Sequence, residues 1–89
     1  MRLARVTGPV TATVKDARLS GAALLLADLI DGSGTVLSPG HIAVDTVGAG
    51  PGDTVIVTAG SAARMAAGLA TSPVDLSIIA IVDGLGLPG

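Results

Sequence analysis

Along Leu3-Ala4-Arg5-Val6-Thr7-Gly8-Pro9-Val10-Thr11-Ala12-Thr13-Val14-Lys15 the side chains alternate in character. Ala4, Val6, Val10, Ala12 and Val14 fall on one side, and Arg5, Thr7, Thr11, Thr13 and Lys15 on the other. This period of two is what an extended strand imposes, because successive side chains leave it in opposite directions. Gly8-Pro9 interrupts the run. Proline donates no hydrogen bond to a ladder, so a bend or bulge near an exposed edge is expected there.

Further strands follow by related signals. Thr54-Val55-Ile56-Val57-Thr58 is a β-branched run, and Leu76 to Val82 carries Ile78, Ile79, Ile81 and Val82. Ala22 to Ile30 is ambiguous: Ala-Ala-Leu-Leu-Leu-Ala has high helix propensity, yet its short, continuous apolarity also suits a strand covered on both faces, and the balance leans to strand. Asp31-Gly32-Ser33-Gly34 is a turn, which makes that segment and His41 to Asp45 the arms of a hairpin with a longer loop. Between the last two strands one short helix is expected, with Ser61 capping Ala62-Ala63-Arg64-Met65-Ala66-Ala67 and Gly68 ending it in the left-handed conformation. Thr71-Ser72-Pro73 then brings the chain extended into the last strand, because the residue before a proline is pushed out of the helical region.

Five strands and one short helix between the fourth and fifth describe an all-β unit, a small five-stranded OB-like β-barrel, since an open sheet of this size would leave edges to protect. The 89 residues form one expected domain, 1–89, without repeats or linkers, and 85–89 (Leu85-Gly86-Leu87-Pro88-Gly89) is expected to be a loose tail.

Composition narrows the function. Hydrophobic residues make up 49% of the chain and charged residues 13%, with a mean hydropathy of +0.77. A domain this small buries only roughly 60 to 65% of its unfolded surface. Some apolar surface is therefore expected to meet another chain. Phe, Tyr and Trp are absent and the net charge is -2, so neither stacking platforms nor a basic footprint is available for nucleic acid. Cysteine is absent, which removes disulfides and thiolate metal sites. No apolar run approaches the roughly 18 residues of a membrane span, and no signal peptide is expected from an opening that alternates from the start. A cytoplasmic location is the expectation.

Candidate chemistry was sought residue by residue. His41 and Asp45 stand four apart, about 13 Å in an extended chain, so they are no base and orienter by local geometry, and His41 is read as a surface or interface histidine. Asp28, Asp31, Asp45, Asp53, Asp75 and Asp83 sit at strand ends and turns, where Asp caps and turns the chain rather than gathering around a metal. Ser61, Ser72 and Ser77 lack a neighbouring base. The run Gly48-Ala49-Gly50-Pro51-Gly52 is followed by a strand, whereas a phosphate-binding glycine loop needs a helix there. It offers instead a turn without side-chain bulk, through which copies of the chain can approach one another around an axis. Ser61 to Ala67 is a helix of small residues whose one long side chain, Arg64, can reach across a subunit boundary or be satisfied within the chain, by Asp75 or by solvent.

Arg5-Val6-Thr7-Gly8, then Asp45-Thr46-Val47-Gly48-Ala49-Gly50-Pro51-Gly52-Asp53, then Gly60-Ser61-Ala62-Ala63-Arg64, Thr71-Ser72-Pro73-Val74-Asp75 and Ile81-Val82-Asp83 resemble, in order and spacing, the EutN/CcmL family. Its members are vertex proteins of bacterial microcompartments, including carboxysome and metabolosome pentamers. The resemblance runs from Leu3 to Asp83, and the chain departs from the usual pattern in the smooth Ala22 to Ala27 run and the short, proline-ended tail. It implies an OB-like five-stranded barrel, a homopentamer, hexameric shell proteins as partners, no cofactor, no metal and no catalytic residues. The function it implies is structural: hexagonal tiles alone make flat sheets or tubes, and a shell closes only where pentagons are inserted. Interface or axis residues are expected in Val47, Gly48, Ala49, Gly50, Pro51 and Gly52, and in Gly60, Ser61, Ala62, Ala63 and Arg64. The competing class is a small OB-type binding module without catalytic activity.

Overall fold

A computed structural model describes residues 1–13, 15–19, 21–68 and 74–84. The expectations for Thr71-Ser72-Pro73 and for the 85–89 tail lie outside the described residues, as do Val14 and Ser72. The elements are β1 (Arg2–Val10), a single 3-10 turn (Ala17–Leu19), β2 (Ala23–Ile30), β3 (Val36–Asp45), β4 (Thr54–Ala59), α1 (Gly60–Ala66) and β5 (Leu76–Ile81). The strands close into a barrel in the order β1-β2-β3-β5-β4, antiparallel except for the short β3–β5 pairing at Val44–Ser77 and Asp45–Ile78. The five-stranded barrel with its helix between the fourth and fifth strands is the architecture expected from the sequence, and the ambiguous Ala22 to Ile30 segment is a strand.

The interior is built from small and branched side chains. Ala4, Val6, Leu25, Ala27, Leu29, Ala43, Val55, Val57 and Ile78 form one buried cluster. Alternate positions supply it on each strand, so the period of two read in the sequence is the physical inside of the barrel. A second cluster lies outside the wall, where Val44, Ala63 and Val74 are buried with Leu19, Ala22, Leu24 and Ala67 packed against them. The 3-10 turn and α1 thus form a partial outer layer over one end of the β2–β3 hairpin.

Three boundaries differ from expectation for identifiable reasons. β1 ends at Val10, not Lys15, because its partner β2 runs out: Val10 lies opposite Leu24, and β2 begins at Ala23. The bulge near Gly8 is present, with Thr7 unmatched between the pairs Val6–Ala27 and Gly8–Leu26, and the Thr7 hydroxyl donating to the Leu26 carbonyl at 3.1 Å. One unmatched residue exchanges the faces of everything after it. Val10 therefore stands beside Leu24 on the outside of the wall rather than with Ala4 and Val6 inside. β3 begins at Val36, so His41 is mid-strand rather than at its start. The turn-like Ser38-Pro39-Gly40 is a bulge within the strand, where Gly40 takes a φ of +76° and its N–H donates to the Asp28 carboxylate at 2.9 Å.

Candidate functional site

The segment between β3 and β4 is braced at both ends by aspartates. At its start, Asp45 Oδ1 accepts the backbone N–H groups of Val47 (3.0 Å) and Gly48 (3.2 Å), and the Thr46 hydroxyl donates to the Ile78 carbonyl at 2.6 Å. At its end, Asp53 Oδ2 accepts the Gly50 N–H at 2.8 Å, while the Asp53 N–H donates to the Gly50 carbonyl at 3.1 Å. The Gly52 N–H donates to the Val6 carbonyl and the Val6 N–H to the Asp53 carbonyl, which moors the loop to β1. Gly48 and Gly52 have φ of +80° and +89°, a region that a side chain would penalise.

The loop is therefore a fixed, low-relief surface. Gly48, Pro51 and Gly52 are exposed and Val47 is 40% exposed, whereas Ala49 leans against the barrel core. Gly50 differs from its two neighbours in kind. Its φ is unexceptional, and a Cβ there would meet only Asp53 Oδ2, at 4.0 Å. Nothing within the chain requires glycine at this position.

The second expected segment starts at Gly60, where a φ of +63° turns the chain from β4 into α1 and the N–H donates to the Asp75 carbonyl at 3.0 Å. The helix thus begins earlier than Ser61. Ala59 occupies the capping position and no side chain caps the helix, so the expected Ser61 cap is corrected: its hydroxyl lies within the first turn, past the place where it faces the free N–H groups. The other end follows expectation, with Gly68 left-handed at +69° and its N–H donating to the Met65 carbonyl.

Helix phase then sorts four similar residues. Ser61, Ala62 and Ala66 are exposed, while Ala63 is fully buried against Val44 and Val74, so its methyl group faces this chain's own packing and not a boundary. Arg64 is half-buried, and its Nη1 donates to the Val74 carbonyl at 3.5 Å, the long end of hydrogen bonding, rather than pairing with Asp75. Ser77, wholly buried, donates to the Ala63 carbonyl at 2.7 Å and pins α1 to the barrel.

His41 is half-buried on the barrel-side face of β3, opposite Ala27, with Nε2 2.8 Å from the Ser38 hydroxyl across the bulge. Among the described residues no three His, Cys, Asp or Glu side chains gather where they could hold a metal ion. Among the described residues, too, no helix is long and apolar enough to cross a membrane. The perturbed acids are structural and exposed. Arg18, through side-chain and backbone hydrogen bonds, lowers Asp16 to about 2. Asp31 is held below the usual carboxylate range by the Ser33 hydroxyl and by the N–H groups of the turn that it braces.

One group was not singled out by sequence spacing: Leu26, Ile42 and Met65 are 36%, 53% and 74% exposed. The available signal was that β2 is apolar at both odd and even positions in a chain too small to cover both sides.

Comparison with known proteins accords with this architecture. The sequence model of the family described as ethanolamine utilisation protein EutN/carboxysome matches residues 1–83. The bacterial microcompartment shell vertex protein EutN of Escherichia coli K12 is 43% identical over 83 residues, covering 93% of this chain and 87% of the relative. The carboxysome shell vertex protein CcmL of Nostoc sp. PCC 7120 is 43% identical over 84 residues, covering 93% of this chain and 83% of the relative. The solved structure of the GrpN pentameric microcompartment shell protein from Rhodospirillum rubrum superimposes with a TM-score of 0.87 at 36% identity, covering 99% of this chain and all of that one.

Proposed function

Because the chain belongs to the EutN/CcmL family, we propose that its working form is a ring of five copies that fills a pentagonal vertex of a bacterial microcompartment shell in the cytoplasm. The observation that carries this is the end-to-end fit to a pentameric shell protein, with 99% of this chain and 100% of that one superimposed. The chain adds no further lobe to the vertex architecture on which a separate activity would sit.

The role is geometric rather than catalytic. Hexagonal tiles supply area and five-fold rings supply closure, so the partners of this chain are four more copies and, around the rim, hexameric shell proteins. A ring is closed by head-to-tail contacts, in which two different faces of each subunit meet. One face is offered by the braced loop Val47–Gly52 with the exposed side of the Gly60–Arg64 segment. Its fixed conformation means that little chain entropy is lost when copies meet. No bound cofactor is required for this function.

Co-production with a hexameric shell protein tests the role. Closed polyhedral shells are expected by electron microscopy when the chain is present, and open sheets or tubes when it is omitted. Polyhedra of equal number in both preparations would contradict the vertex assignment.

A further inference from the structure

A head-to-tail ring needs a second face, unlike the first, and β1, β2 and β3 carry one. Two rows of side chains run across the outside of this sheet, each defined by strand register. In one row Val10, Leu24 and Val44 lie side by side, and Leu24 and Val44 are covered by the chain's own outer layer. In the next row Gly8, Leu26 and Ile42 lie side by side, and nothing of this chain covers them: Leu26 is 36% and Ile42 53% exposed. The outer layer stops halfway across a continuous apolar surface.

Gly8 is an independent observation at the same place. Its φ lies outside the left-handed region, and a Cβ added there would meet nothing within 4 Å. Glycine mid-strand weakens the strand and commonly marks a place where something else approaches the backbone closely. Here it leaves a hollow beside Leu26, at the end of the exposed row.

We infer that the Gly8–Leu26–Ile42 row is the seat of the next copy of this chain, the second of the two faces by which the ring closes. The inference rests on the pentameric reading. A second copy is the occupant because the matched pentameric shell protein has the same extent as this chain and therefore covers such a face, if at all, only with another subunit. Addition of a neighbour's strand to the free edge of β3 is disfavoured, since Pro39 offers no N–H and Gly40 bulges there. Side-chain docking onto the row is left as the mode of contact.

Two opposite substitutions test it in the intact chain. Gly8→Val fills the hollow at a position where this chain has room, and Ile42→Asp charges the exposed end of the row. Each variant is expected to keep its circular dichroism spectrum and a melting temperature close to that of the parent when all are compared as monomers at high dilution. Each is also expected to lower the pentamer fraction at least tenfold in native mass spectrometry. Because the chain has no cysteine, Ile42→Cys supplies a third measurement: its thiol should react with maleimide at least tenfold more slowly in the ring than in diluted monomer. Undiminished pentamer in both substitutions, or equal labelling rates, overturns the inference. Intact pentamers that no longer join hexameric tiles would overturn it too, by giving the face to a neighbouring tile. Failure of the unmodified chain to form any ring is a different result and would strike the pentameric reading itself.

Discussion

On β2, Leu25, Ala27 and Leu29 disappear into the barrel, while Leu24 and Leu26, one residue out of phase, point outward and fare unequally. The inner set meets side chains from all five strands. The outer set meets a 3-10 turn and a short helix that cover Leu24 and stop before Leu26. One strand of nearly uniform composition thus has a finished side and an unfinished one. The apolar content that exceeds what so small a core can hold is not spread at random over the surface; part of it is concentrated on the outer wall of one hairpin.

The largest effect should follow from damage to the finished side. Ile78 has no exposed surface and sits among Val55, Val57 and Ala43 in the barrel interior. Ile78→Ala should cost about 3 kcal/mol of folding stability in urea titration, through lost burial and the cavity left behind. A loss below about 1 kcal/mol would mean that the barrel is not the rigid half of the comparison. Gly50→Val addresses assembly instead. Since Gly50 has ordinary backbone angles and room for a Cβ, monomer stability should hardly change, whereas ring formation should weaken at least tenfold, about 1.4 kcal/mol, by native mass spectrometry. Normal assembly would reduce this loop to a surface turn.

Ser77 joins the two halves, because its hydroxyl ties the outer helix to the barrel through the Ala63 carbonyl. That carbonyl also accepts the Ala67 N–H, so Ser77→Ala does not orphan it. The expected loss is about 1 kcal/mol, with faster hydrogen exchange confined to α1. Uniform exchange across the barrel would show that the outer layer is not a separable unit.

The smallest effect is that of pH. Asp16 and Asp31 bind protons less tightly in the folded chain than in the unfolded one. Their contributions to stability are therefore present above the ordinary carboxylate value of 3.8 and are lost as pH falls through the folded values, for Asp16 between 3.8 and about 2. Both groups are exposed, so the loss is modest and shrinks with salt. Melting temperatures between pH 5 and 2 should fall less steeply in Asp16→Asn than in the parent; identical slopes would remove Asp16 from the account.

Much of this was written in the alternation of single segments. The β-branched run at Thr54 to Thr58, the paired isoleucines at Ile78 and Ile79, and the interruption at Gly8 each carry a local physical signature. What stayed hidden depends on partners distant in sequence. The exchange of faces at Thr7 is fixed by which β2 residue goes unmatched, so Val10 reads as interior until the register is known. Ser38-Pro39-Gly40 reads as a turn because the carboxylate that satisfies Gly40 comes from Asp28 on another strand. At the candidate site, Ala62 and Ala63 are the same residue type, and only the phase set by Gly60 sends one outward and the other into the second cluster. The exposed row needed two registers at once, β1 on β2 and β2 on β3, to be seen as a row at all.

The mass of the purified chain in solution tests the central claim most directly. Native mass spectrometry should give a dominant species of five times the 8.5 kDa subunit, stable on moderate dilution. A chain that remains monomeric at high concentration would contradict the account, for its outer wall would then be complete as it stands.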